Sequence, residues 1–217
     1  MLKISIVTVC YNSSKTILDT INSVNSQSYP DIEHVFVDGL SSDNTVEIIK
    51  LNSQTKNVVV SEKDYGLYDA INKGISIASG DVIGLLHSDD LFASSTIISD
   101  LMTEMKSLMV DGIYGDLEYV DKQDTNKIIR YWKSCEFRSA MLRQGWMPAH
   151  PTLFLKKHVY DKHGEFNTSY KIAADYDFML RILKDNDLKY GYLPEVITKM
   201  RVGGASNRSF KNIIQKT

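Results

Sequence analysis

The first 115 residues of this chain set four short apolar or β-branched runs between segments of helical periodicity. The runs are Ile4–Cys10, Ile32–Val37, Val58–Val60 and Val82–Leu86. A strand wetted on one face alternates apolar and polar residues, whereas one covered on both faces does not. Ile4–Cys10 is almost continuously apolar and so belongs inside a doubly covered sheet. Ile17, Leu18, Ile21 and Val24 share one helical face, with Ser13 or Ser14 placed to cap it. Ile48, Ile49 and Leu51 follow the turn residues 38–44, and Tyr68, Ile71, Ile75 and Ala78 form a third face that stops at Gly80. Repeated βα units of this length predict a parallel sheet with helices on both sides.

The pattern changes after about residue 115. Leu117–Val120 and Ile128–Trp132 flank a polar turn, 122–127, and read as an antiparallel hairpin. Pro151–Leu155 reads as a further strand, 175–184 as a helix, and the end from Arg201 as a loop followed by a basic tail. No repeat or linker divides the chain. The expectation is one α/β domain over 1–217, with a nucleotide-binding half, 1–115, and a mixed acceptor-side half, 116–217.

Composition narrows the function. Lys and Arg number 25 against 27 Asp and Glu, a formal charge of −2, where a nucleic-acid binder would show a basic excess. No run approaches the roughly 18 apolar residues of a membrane span. The first apolar run stops at Tyr11–Ser14 with no small-residue cleavage site, so it reads as a strand rather than a signal peptide. Cys10 and Cys135 form no CxxC pair, which suits a reducing, cytoplasmic setting.

In open α/β sheets, ligands bind beyond the carboxyl ends of the strands. Here those ends carry Thr8–Asn12, Asp38, Glu62–Asp64 and Ser88–Asp90. The adjacent carboxylates Asp89 and Asp90 suit a hard divalent cation, which takes one or two carboxylates plus substrate phosphates; Asp90 equally suits a helix N-cap. Lys63, Lys73 and Arg181 are candidate phosphate partners or plain surface charges. Tyr11 can stack on a base or sit half-buried. His150 contacts a phosphate or caps a loop, while His158 and His163 lack ligand spacing and read as surface residues. Asp175 and Asp177 open the late helix, one as a cap and the other as a base. GxGxxG, GxxxxGK[ST], GxSxG and HExxH are absent, which disfavours dinucleotide dehydrogenases, P-loop proteins, α/β-hydrolases and zinc proteases.

Taken in order, Ser5–Asn12, Val37–Gly39 with Ser42–Thr45, Asp64–Gly74, Ala78–Asp81, Ser88–Asp90, Ala174–Arg181 and Gly203–Gly204 resemble family 2 glycosyltransferases. The likeness is greatest to the bacterial enzymes of O-antigen, capsule and exopolysaccharide synthesis. The resemblance implies a GT-A fold and an inverting transferase dependent on Mn²⁺ or Mg²⁺. Its donor would be a nucleotide-sugar, most often a UDP-sugar. Its acceptor would be a lipid-linked or growing glycan at the inner face of the membrane, with peripheral contact there.

By position, the resemblance assigns Thr8, Tyr11 and Asp38 to base and ribose, and Asp69 and Lys73 to ribose and diphosphate. Asp89 and Asp90 become the metal element, with Asp90 as the direct ligand, and Asp175 the general base, with Asp177 as its alternative. Two positions depart from the pattern: Ala174 stands where many relatives carry Glu, and Ser88 precedes the aspartate pair where they carry an acid. A sugar nucleotidyltransferase would need a Gly-rich, Arg-containing loop after the first strand, which 11–14 is not. A non-catalytic nucleotide-sugar binder is the other alternative, and Ala174 is its support.

Overall fold

The computed structural model describes residues 1–203. Four parallel strands form the front of one nine-stranded sheet: β1 (Ile4–Cys10), β2 (Ile32–Asp38), β3 (Lys56–Ser61) and β4 (Val82–Leu85). Their order is β3-β2-β1-β4. Cys10 pairs with Asp38 and Asp38 with Ser61, so three strand ends lie level on one rim.

Alternation along β1 and β2 assigns the two faces. Val7, Val9, Val35 and Val37 pack with α3 (Leu67–Ile77), whereas Ile4, Ile6, Cys10 and Phe36 face the side of α1 (Ile17–Asn25), α2 (Thr45–Asn52) and α4 (Ile97–Ser107). Each such buried aliphatic contributes roughly 1.5–3 kcal/mol. In α1 three of the four expected apolar positions, Ile17, Ile21 and Val24, are buried. Leu18 turns outward and Thr20 is buried, its hydroxyl donating to the Asp90 carbonyl at 2.8 Å. Neither Ser13 nor Ser14 caps α1 through its side chain; instead the Ser13 carbonyl accepts the Ile17 N–H at 2.9 Å.

The back of the sheet continues β8-β6-β9-β5, with β7 beside β6. β6 (Gly112–Val120) and β7 (Ile128–Trp132) are the expected hairpin. The strand expected at Pro151–Leu155 begins later, as β8 (Phe154–Lys156), because 150–152 forms a 3-10 turn held by Thr152 N–H on Ala149 O. Short β5 (Leu91–Phe92) and twelve-residue β9 (Tyr190–Arg201) are additional strands. β9 runs parallel to β6 with its register shifted opposite Gly115, beside Pro194, which cannot donate to the ladder. A side chain at Gly115 would meet the Leu193 and Glu195 carbonyls at 2.8 and 2.7 Å, so glycine is required there.

α5 (Lys157–His163) and α6 (Ala174–Leu183) close the α3 side through Tyr160, Phe166 and Phe178. Arg201, expected in a loop, ends β9 and is 4% exposed. Gly204 and the basic tail residues Arg208, Lys211 and Lys216 lie outside the described residues. Cys10 and Cys135 are both unpaired thiols. No helix among the described residues is long and apolar enough to cross a membrane.

Candidate active site

A cleft of 590 Å³ opens over the carboxyl ends of β1 and β4. Its floor is Val9–Ser13; one wall carries Asp64, Gly66 and Leu67, and the other carries His87–Asp90 and Met200–Gly203. Tyr11 stands over it with its ring 65% exposed, so it is available to a planar ligand rather than buried.

The loops around the rim are laced together by their own polar groups. Asn12, in the left-handed region at φ 49°, accepts the Ser42 N–H at 2.9 Å and donates its own N–H to Ser41 Oγ at 2.8 Å. Asp38 accepts the Ser41 N–H at 3.0 Å and the Ser61 hydroxyl at 2.6 Å, and also the Ser41 hydroxyl. Its carboxylate is fully buried and saturated by the chain, so it shapes loop 39–44 rather than facing the cleft. Thr8 is also fully buried, its hydroxyl 2.9 Å from His34 Nε2 in the core. Neither side chain lines the cleft, in contrast to the base and ribose contacts expected of them.

Asp69 and Lys73 are likewise held by the chain. They pair at 3.3 Å; Lys73 also reaches Glu62 at 2.9 Å and the Lys63 carbonyl at 2.9 Å, and Asp69 accepts the Tyr65 N–H at 3.1 Å. Together they fasten loop 62–66 to α3. That loop delivers Asp64, whose Oδ1 accepts the Gly66 N–H at 3.0 Å and whose Oδ2 lies where a side chain at Gly39 would be. A side chain at Gly39 would push the Asp64 carboxylate aside.

The opposite wall differs. Asp89 and Asp90 sit in a turn closed by the Asp90 N–H on His87 O at 3.0 Å. Thr20 holds this turn through the Asp90 carbonyl, and Arg201 through the Asp89 carbonyl at 2.7 Å. Asp90 is 1% exposed. Its Oδ1 accepts the Arg201 N–H at 3.2 Å, and its Oδ2 has no hydrogen-bond partner among the described residues. Burial, and then the neighbouring Asp89 charge, push its carboxyl well above the usual carboxylate range. Arg201 Nε is a second buried atom without such a partner, although its Nη2 reaches Asp19 at 2.5 Å. A buried carboxylate oxygen left unpaired costs several kcal/mol unless a cation or donor reaches it.

A divalent cation fits this wall. Among the described residues no group of three His, Cys, Asp or Glu side chains converges. An ion here would therefore take Asp90, with Asp89, and complete its shell from phosphate and water oxygens. Cleft-lining Lys15, Lys122 and Arg201 supply positive charge. Arg181, expected at phosphate or acceptor, is turned elsewhere. It pairs with Asp177 at 3.0 Å, donates to the His163 and Glu165 carbonyls, and covers the Phe178 ring at 5.2 Å.

That pairing separates the two candidate bases. Asp177 is engaged by Arg181, whereas among the described residues Asp175 takes hydrogen bonds only from the Tyr68 hydroxyl and the Tyr176 N–H. The chain enters α6 through Ala173 at φ 72°, a left-handed position that costs a non-glycine residue about 1–2 kcal/mol. Asp175 Oδ1 accepts the Tyr68 hydroxyl at 3.2 Å and the Tyr176 N–H at 2.9 Å. His87 and His150 stand beside it with ring centroids 6.0 Å apart. Burial pushes both imidazoles down, His150 to about 4, so both are neutral at pH 7 although the Asp175 charge pulls each upward. His163, expected at the surface, is 16% exposed and lies 2.8 Å from Asp185.

The model for glycosyl transferase family 2 matches residues 5–169. The chain belongs to that family. A PGL/p-HBAD biosynthesis glycosyltransferase of Mycobacterium tuberculosis is 25% identical over 207 residues, 94% of this chain and 78% of the relative. Among solved structures, S. aureus TarS 1–349 in complex with UDP-GlcNAc superposes with TM-score 0.78 at 19% identity, over 96% of this chain and 61% of TarS 1–349. The mannosyltransferase PcManGT from Pyrobaculum calidifontis, in complex with GDP-Man and Mn²⁺, gives 0.71 at 16% identity, over 97% of this chain and 60% of that one. The chain thus spans about three fifths of the solved glycosyltransferases it matches, and its fold is GT-A. Asp64, His87 and Arg201 also line the cleft. Asp64 was visible in the sequence as part of an acidic strand end, whereas Arg201 carried no signal of its contact with Asp89, 112 positions away.

Proposed function

We propose that this chain transfers a hexosyl or N-acetylhexosaminyl group from a UDP-sugar to a hydroxyl of a lipid-linked or growing glycan in bacterial surface polysaccharide synthesis. The transfer inverts the anomeric centre and uses Mn²⁺ or Mg²⁺. The observation that carries this reading is one wall bearing a buried Asp90 oxygen that is unpartnered among the described residues, beside Asp89, with the Asp175 charge near His87. The nucleotide-sugars named with TarS and PcManGT support the donor class, and PcManGT supports Mn²⁺.

Tyr11 would stack on the base, while Asp38, Asp69 and Lys73 hold the loops that shape its slot. Asp89 would reach the nucleotide, Asp90 would hold the cation, and Lys15, Lys122 and Arg201 would face the diphosphate. A cation held by Asp90 and Asp89 would offset the charge that develops on the departing diphosphate. Asp175 takes the proton from the acceptor hydroxyl as its oxygen attacks the anomeric carbon. The bond to the diphosphate breaks with its electron pair on the leaving oxygen. Attack from the opposite face converts an α-linked donor into a β-linked product. Neutral His87 and His150 flank the carboxylate without adding a competing positive charge.

The test incubates the protein with UDP-GlcNAc or GDP-Man, Mn²⁺ and a panel of glycan hydroxyl acceptors, following nucleotide release and product configuration. The expected outcome is UDP release and a β-linked product, both lost in Asp175→Asn. An α-linked product, or release unchanged in that variant, would contradict the mechanism.

A further inference from the structure

Two i, i+4 pairs on α3 make contacts in two different directions. Asp69 and Lys73 hold the donor-side loop 62–66. Tyr68 and Asn72 reach the segment that carries the base. Tyr68 donates its hydroxyl to Asp175 Oδ1 at 3.2 Å, and the Tyr176 N–H reaches the same oxygen at 2.9 Å. Among the described residues, neither contact involves Oδ2.

Asn72 makes a reciprocal pair with the backbone of Phe166. Its Nδ2 donates to the Phe166 carbonyl at 2.8 Å, and the Phe166 N–H donates to its Oδ1 at 3.0 Å. The Phe166 ring then packs on Tyr68 at 5.8 Å, edge-on to His150 at 5.7 Å and on Phe178 of α6 at 4.8 Å. One short helix thus grips both the nucleotide-side loop and the helix that presents the carboxylate.

We propose that Tyr68 and Asn72 are positioning residues for transfer. Tyr68 fixes Asp175 by one oxygen so that the other meets the acceptor hydroxyl, Asn72 locks the Phe166 brace, and α3 ties this arrangement to the donor loop. The proposal rests on the reading of Asp175 as base. A carboxylate held by one oxygen loses rotational freedom before the acceptor arrives, and small misplacement of a reacting group costs up to about a hundredfold in rate. Removing a donor hydrogen bond to the carboxylate also favours its protonated form. Burial and then Asp175 push the Tyr68 phenol up to about 12, a consequence of the same contact.

The experiment measures pH–rate profiles for UDP release from UDP-GlcNAc with Mn²⁺ in wild type, Tyr68→Phe, Asn72→Ala and Asp175→Asn. In parallel, the Tyr68 phenol is titrated by NMR in wild type and Asp175→Asn. The expected result is no turnover in Asp175→Asn and about a tenfold lower kcat in Tyr68→Phe. The latter keeps its donor KM within twofold and shifts its acidic limb to higher pH, and Asn72→Ala gives a smaller loss in kcat. The phenol titrates lower in Asp175→Asn. An inactive Asp175→Asn with wild-type kcat and pH profile in Tyr68→Phe overturns the positioning role alone. Full turnover in Asp175→Asn overturns the base reading and the positioning role with it.

Discussion

The two walls of the cleft are built from the same residue types and behave oppositely. Behind the β2–β3 wall, Asp38, Asp69 and Lys73 each find their partners within the chain. On the β4–β9 side, Asp90 Oδ2 and Arg201 Nε are buried without partners among the described residues, although both side chains are almost inaccessible. Charged residues behind the first wall hold the loops that give the cleft its shape. Those on the second are arranged for a ligand's charges, because folding alone leaves their desolvation uncompensated. An acidic strand end of this fold marks a site where its oxygens remain unsatisfied.

Substitutions on each wall can break that contrast, and the largest effect belongs to the base. Asp175→Asn is expected to lower turnover about a thousandfold while nucleotide affinity stays within twofold, measured by UDP release and calorimetry. Next is Asp90→Asn, which should weaken Mn²⁺-dependent nucleotide binding about ten- to a hundredfold without lowering the melting temperature of the ligand-free protein. A large loss of melting temperature would mean that Asp90 serves the fold, and the two walls would then be alike.

Asp38→Ala should act the other way. It leaves the Ser41 N–H and the Ser61 hydroxyl without their acceptor, at a cost of about 2 kcal/mol of stability, read from thermal unfolding. Unchanged melting with lost preference between UDP and GDP would instead place Asp38 on the base.

The smallest effect concerns a buried ion pair far from the cleft. Glu33 is 2% exposed and held by Lys3 at 2.7 Å, with Ser5 and Ser79. Burial raises its carboxyl, but the hydrogen bonds from Lys3, Ser5 and Ser79 outweigh it and hold the group down at about 2. A lowered folded value means that its stabilisation is present above the usual glutamate range and is lost as pH falls from about 4.5 toward about 2. Glu33→Gln should cost about 1 kcal/mol at pH 7 and flatten the melting curve over that acidic window. An unchanged acidic slope would contradict the assignment.

The front of the fold was readable because doubly covered parallel strands are written as apolar runs, and β1, β2 and β4 stand where those runs are, while the half-exposed edge strand β3 is marked by its β-branched Val58–Val60. β9 was not. Its burial is irregular, Pro194 interrupts it, and the register shift opposite Gly115 breaks period-two alternation. β8 began late because the 3-10 turn at 150–152 takes up Pro151.

At the site, Asp89, Asp90 and Asp175 were visible as acids at element ends. What spacing could not reveal was which charges the chain neutralises for itself. Arg181 looked like a phosphate partner until Asp177 and two carbonyls accounted for it. Thr8, assigned by resemblance to base and ribose, has its hydroxyl 2.9 Å from His34 Nε2 in the core. Arg201 looked like part of a basic tail until β9 carried it to Asp89, Asp90 and Asp19. Each correction comes from contacts between residues distant in sequence, except the Asp177–Arg181 pair, which a helical i, i+4 spacing already allowed.

The central claim, that the unsatisfied wall is a cation and diphosphate site, is tested most directly by titrating UDP and GDP calorimetrically into wild type and Asp90→Asn, with and without Mn²⁺. The predicted result is UDP-preferring binding that requires Mn²⁺ in wild type and loses that requirement, together with most of its affinity, in the variant. Equal, Mn²⁺-dependent affinity in both proteins would contradict it.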